Sequence, residues 1–177
     1  MKKPVFILIS VVALVLAFGV LLTSQEGSSE LPTESLAPDW RSFDEGIVLA
    51  GEENKKLLID VYTDWCGWCK RMDSEVYSNT AVIAALDASF ISIKLNAESS
   101  RELVYLGSRL TETQFASSAG VTGYPTTLFF HPDGRPLTRV PGFVSAEKFV
   151  SILNYIGQNH FQAISFEEYL ARSSSSR

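Results

Sequence analysis

Both cysteines of this 177-residue chain fall in one stretch, LLIDVYTDWCGWCK, at Cys66 and Cys69. The first half, short, apolar and β-branched, predicts a buried strand. The second half predicts the start of a helix, with Cys66 at the junction and Cys69 one turn in. A pair at that spacing serves as a metal clip, a structural staple or a redox centre. Zinc needs four ligands, and the two histidines, His131 and His160, have no spacing that completes such a site. Cu(I) suits thiolates; a copper metallochaperone or assembly factor would need Met72 or a partner protein to complete its ligand set. A staple across so small a loop adds little, because disulfide stabilisation grows with the loop closed. A redox pair fits best. Free N–H groups and the dipole at a helix start favour a thiolate at Cys66. Cys66 can then attack a substrate disulfide, and Cys69 can resolve the mixed disulfide.

The compartment is read from the N-terminus. Lys2-Lys3 precede an apolar run from Val5 to Leu22, interrupted by Ser10 and Gly19. As a helix it would span roughly 27 Å, close to the ~30 Å hydrocarbon core of a bilayer. Residues 1–22 are expected to be a signal peptide or membrane anchor, and residues 23–38 a Ser/Glu/Gly-containing linker. The lysines would stay in the cytoplasm, with everything after residue 23 exported, to the periplasm of a bacterium. The formal net charge is −5, and the exported part, without Lys2 and Lys3, is more acidic still. No basic cluster suits nucleic acid.

Residues 39–171 are expected to form one α/β domain, with a disordered tail at 172–177. The apolar spacing of Phe43, Ile47 and Ala50 predicts a helix over SFDEGIVLAGEENK. KLLIDVYT and FISIKLN predict strands, separated by a helix running to about Val76 and a second one capped by Asn79. ELVYLGSRLTE reads as a hairpin turning at Gly107-Ser108 or as a helix. TETQFASSAG predicts a helix stopping at Gly120. PTTLFF and RPLTRVPG predict a hairpin around HPDG. Ser145 opens an amphipathic helix. SFEE predicts a capping box, Glu168 reaching back to Ser165, and a short helix ending near Ala171. The order implies a central mixed sheet with helices on both faces.

LLIDVYTDWCGWCK resembles the active-site strand and motif of the thioredoxin-like family. VTGYPTTLFF resembles that family's cis-proline loop, and VPGFVSAEKFVSIL its last strand, glycine and C-terminal helix. Within it, DWCGWCKRMDSEVYSN and FISIKLNAE resemble the exported, membrane-linked thiol:disulfide reductases. FEEYL is similar to some of those related to cytochrome c maturation or sulfur oxidation.

The resemblance implies the thioredoxin fold and a thiol–disulfide oxidoreductase with no cofactor beyond its cysteines. Its partners would be disulfide-containing exported proteins and a membrane or periplasmic thiol donor, with residues 5–22 in the membrane. Cys66 would be the nucleophile and Cys69 the resolving thiol. Asp60, an acid in an apolar strand with an expected raised pKa, would take the Cys69 proton, and Lys94 would pair with Asp60. Pro125 would be cis and present the Tyr124 backbone to substrate. Trp65 would flank the site. Trp68, in place of thioredoxin's proline, would be exposed for docking. Gly142 would let a partner or the site approach the backbone.

Overall fold

The computed structural model describes residues 37–175; the signal or anchor expected at 1–22 and most of the linker lie outside them. Five strands form one sheet: β1 (Trp40–Arg41), β2 (Lys56–Tyr62), β3 (Phe90–Asn96), β6 (Thr126–Phe130) and β7 (Pro136–Pro141), in the order β1-β3-β2-β6-β7. β3 runs parallel to both β1 and β2. β2–β6 and β6–β7 are antiparallel, so the sheet is mixed. Every residue of β2 from Lys56 to Val61 is buried, which is why its sequence is almost unbroken apolar.

Alternation along β2 sends its side chains into two separate cores. Leu57, Ile59 and Val61 pack with Phe43 and Ala50 of α1 (Phe43–Glu53) and Phe115 of α4 (Glu112–Ser118). Leu58 packs with Met72 of α2 (Gly67–Met72), Leu86 of α3 (Thr80–Ser89) and Phe149 of α5 (Ala146–Gly157). Asp60 has the parity of Leu58, so it belongs to the face that α2 covers. On the opposite face α1 approaches β3 closely at Gly46, where a Cβ would stand 2.5 Å from Ile93 Cδ1.

Local signals start the helices. The Ser42 N–H and hydroxyl both donate to the Glu45 carboxylate, and Asn79 Oδ1 accepts from the N–H groups of Ala81 and Val82. α2 does not continue as an α-helix to Val76. It passes into a π-helical segment, Asp73–Tyr77, whose wider turn re-aims the side chains after Met72.

The segment after β3 is a hairpin of β4 (Glu102–Tyr105) and β5 (Ser108–Thr111), a two-stranded sheet of its own. The turn falls one residue earlier than expected, at Leu106-Gly107. Both have positive φ, the type I′ geometry that matches strand twist. Tyr105 anchors it, its ring 5.1 Å from Phe115 and its hydroxyl donating to the Gly134 carbonyl at 3.1 Å.

The last helix, α6 (Phe166–Ser174), begins as expected at Ser165, whose Oγ accepts from the Glu168 N–H. The reciprocal half of the capping box is absent: the Glu168 side chain pairs with Arg172, one turn further on. α6 extends beyond Ala171, so residues 172–174 are helical. It packs on α5 through Phe166, whose ring lies 5.2 Å from Tyr155.

Candidate active site

The end of β2 turns sharply at Thr63, whose carbonyl accepts from the Cys66 N–H at 3.1 Å. Cys66 is the N-cap of α2 and Cys69 lies on its first turn. The two form a disulfide with Cα atoms 5.3 Å apart. The Cys69 N–H donates to Cys66 Sγ at 3.0 Å. A backbone donor on this sulfur stabilises negative charge there when the pair is reduced. Both cysteines are buried at the residue level.

Asp60 pairs with Lys94 across β2 and β3 and with Thr127 across β2 and β6. It is 1% exposed. Burial is the main influence on its carboxyl and raises the pKa from 3.8 to about 6; Lys94 opposes the rise and Asp73 adds to it. Lys94 Nζ stands 3.5 Å from Asp60 Oδ2 and also bonds Asp73 Oδ1. Asp60 Oδ1 and the buried Tyr77 hydroxyl make no hydrogen bond of ordinary geometry among the described residues, although the hydroxyl is near enough to Asp60 and Thr127 for each to act on its acidity. That phenol is pushed well above its ordinary pKa, by burial first and by the charge of Asp60 second. It therefore stays protonated, and the carboxylate is the titrating group.

An aromatic frame surrounds Lys94. Its ammonium lies 4.9 Å from the Trp40 ring centroid, 5.3 Å from Tyr62 and 5.7 Å from Tyr77. Trp40 also meets Tyr77 edge to face at 4.9 Å. The π-helical turn makes this possible by directing Asp73 and Tyr77 back toward the sheet.

The Tyr124–Pro125 peptide bond is cis, and Pro125 is buried. Its carbonyl accepts from the Gly142 N–H at 2.8 Å, which ties the proline loop to the end of β7. Gly142 has φ of +80°, and nothing lies within 4 Å of where its Cβ would be. Within the chain the glycine is therefore required by its left-handed backbone and not by close approach of other atoms.

Both tryptophans of the motif are exposed, Trp65 by 66% and Trp68 by 54%. Trp65 donates from Nε1 to Glu98 at 2.9 Å, and its ring meets Tyr124 edge to face at 6.0 Å. Trp68 packs on Phe143 at 5.6 Å. The Arg71 guanidinium lies over both rings, 5.3 Å from Trp68 and 5.1 Å from Phe143.

The structure thus groups Cys66 with Cys69, Asp60 with Lys94, Trp65 with Tyr124, and Pro125 with Gly142. Asp73, Tyr77, Trp40, Arg71, Phe143 and Glu98 join these groups without having been read from the sequence. Two of them had a local signal: Asp73 follows Cys69 by one helical turn, and Arg71 precedes its partner Glu75 by four residues. The copper reading finds no support. Met72, its extra sulfur ligand, is fully buried in the core, and among the described residues no three His, Cys, Asp or Glu side chains converge to hold a metal.

A sequence profile of the thioredoxin-like domain matches residues 43–157. The chain is 30% identical over 113 residues to the thiol:disulfide interchange protein DsbD of Actinobacillus pleuropneumoniae, covering 61% of this chain and 17% of that protein. It is 32% identical over 119 residues to protein disulfide isomerase-like 2-2 of Oryza sativa, covering 67% of this chain and 27% of that protein. Among solved structures, a thioredoxin-fold protein from Helicobacter pylori superposes with a TM-score of 0.58 at 18% identity, covering 70% of this chain and 82% of that one. The Cys66–Cys69 arrangement fits a thiol:disulfide reductase.

Proposed function

The chain belongs to the thioredoxin-like family, and from that premise we propose that it is an exported thiol–disulfide oxidoreductase that reduces disulfides of other exported proteins. The observation that carries this reading is the Cys66–Cys69 disulfide at the start of α2, on the sheet face that holds the buried acid Asp60. The two named relatives are a thiol:disulfide interchange protein and a disulfide isomerase-like protein, and both support the reaction type.

In the reduced enzyme the Cys66 thiolate attacks one sulfur of a substrate disulfide. That bond breaks, the other substrate sulfur leaves as a thiolate, and Cys66 is joined to the substrate. Cys69 then loses its proton to Asp60, directly or through one water, and attacks Cys66 Sγ. The second substrate sulfur leaves, and the two electrons of the Cys66–Cys69 dithiol have passed to the substrate. The enzyme is left as the disulfide seen in the structure, for a membrane or periplasmic thiol donor to reduce. An acid titrating near 6 suits this work: at neutral pH it is ionised and accepts, yet it binds a proton more readily than an exposed aspartate. Lys94 holds the carboxylate in place.

Trp65, Trp68, Tyr124, Pro125 and Gly142 form the docking surface of this proposal. The run Val5–Leu22 supports export and attachment to a membrane. Targets linked to cytochrome c maturation or sulfur oxidation are the finest part of the reading, and they rest on the FEEYL segment.

Trapping tests the proposal. Cys69→Ser in the full chain should accumulate mixed disulfides through Cys66 with exported proteins, and Cys66→Ser should accumulate none. Repeated failure of Cys69→Ser to capture any partner would count against an oxidoreductase. A measured potential near the oxidising end, around −120 mV, would reverse the assigned direction.

A further inference from the structure

Trp68 stands between the two cysteines and is half exposed, yet its ring is not loose. One side packs on Phe143 at 5.6 Å. Arg71 lies over both rings, and its Nε is held by Glu75 at 2.7 Å. An indole fixed by a second ring and a cation loses less freedom when a ligand covers it than a free one would. The indole, a large apolar side chain, stays 54% exposed directly before Cys69 in the chain. Arg71 spends its charge on Glu75 and on the ring faces, so the site offers contact area more than a bare cation.

We propose that Arg71 and Phe143 are positioning residues that hold Trp68 as a rigid apolar platform. On this basis the enzyme selects polypeptide disulfides whose cysteine has a large apolar neighbour. The inference rests on the oxidoreductase reading and adds a substrate preference to it. The platform contributes binding area and leaves the sulfur chemistry to the cysteines. Its loss therefore appears in KM for the favoured substrate more than in kcat.

The test uses the full chain and two synthetic peptide disulfides, identical except that leucine or serine flanks each cysteine. The wild-type enzyme should favour the leucine peptide through a lower KM. Arg71→Ala should reduce that preference about two- to fivefold, the range expected for losing an exposed cation–π contact. Arg71→Lys should restore part of it. Phe143→Ser, a second disruption at a different element, should act in the same direction. Equal loss of kcat on both peptides would identify a merely structural role and overturn the platform. So would a wild-type enzyme with no preference, or an Arg71→Ala enzyme that keeps the full preference. Failure of the wild-type enzyme to reduce either peptide would instead defeat the oxidoreductase reading beneath it.

Discussion

Lys94 Nζ lies 3.5 Å from Asp60 Oδ2, and the same ammonium bonds Asp73. One cation thus links a carboxylate that is sealed in the core to one that is half exposed. The sealed group is costly when charged and the open one is not, so each partner of Lys94 sets a different property of the protein.

Asp60 should give the oxidised protein an unusual pH dependence. Its folded pKa, about 6, lies above its unfolded value, so the folded state binds this proton more tightly between about 4 and 6. Its contribution to stability is therefore most favourable below that window, falls as pH rises through it, and levels off above. The size is on the order of 1–3 kcal/mol. Asp60→Asn should be more stable than the parent at pH 8 by that order, with the gap closing by pH 4. Urea midpoints across the range check this, and a gap that widens toward acid would refute it.

Substituting the two neighbours should move the Asp60 titration in opposite directions. Lys94→Met removes the attraction that lowers its pKa, so the midpoint should rise. Asp73→Asn removes a repulsion that raises it, so the midpoint should fall. Carboxyl NMR of the oxidised protein reads both shifts. Lys94→Met should also cost roughly 1–3 kcal/mol at pH 8, below the range for fully buried pairs because Lys94 retains solvent contact.

Two glycines of α1 should respond to alanine with opposite signs. At Gly51 a Cβ meets nothing within 4 Å, so Gly51→Ala should stabilise by about 0.5–1 kcal/mol through helix propensity. At Gly46 the same change places a methyl 2.5 Å from Ile93 in a packed core, and should cost about 1–3 kcal/mol. Thermal or urea unfolding of the two variants should separate them clearly.

Gly142→Ala should destabilise by about 1–2 kcal/mol although the space around it is open, because φ of +80° is unfavourable for a residue with a Cβ. Its N–H anchors the Pro125 carbonyl, so the peptide-disulfide KM should rise as well. A variant with unchanged urea midpoint and unchanged KM would show that the loop tolerates the change freely.

What could be read from the sequence was local. The strand–cysteine–helix junction is contiguous from Leu57 to Lys70, and period, apolar content and helix start all point the same way there. The acid at Asp60 stood out because apolar residues flank it on both sides within that strand, Leu57 to Ile59 before it and Val61 after it. β1 escaped notice because two residues carry no period, and its formation depends on pairing with Ser92 and Ile93. Asp73 and Tyr77 reach the sheet through a π-helical turn, a departure from the α period that cannot be read from side-chain spacing. Arg71 and Phe143 meet across the fold, from α2 and from the loop after β7, and composition does not announce that pairing.

Trp40 gives the shortest strand of the sheet an influence beyond its length. It belongs to β1, near the start of the described residues, and contributes a wall to the Lys94 enclosure. A shortened version of the protein cut at Ser42 would keep the helix and motif that define the family. It would also open the Lys94–Asp60 pair to water and change the acidity under the cysteines. Activity compared between differently trimmed versions should therefore depend on whether Trp40 is kept as well as on the chemistry of the cysteines.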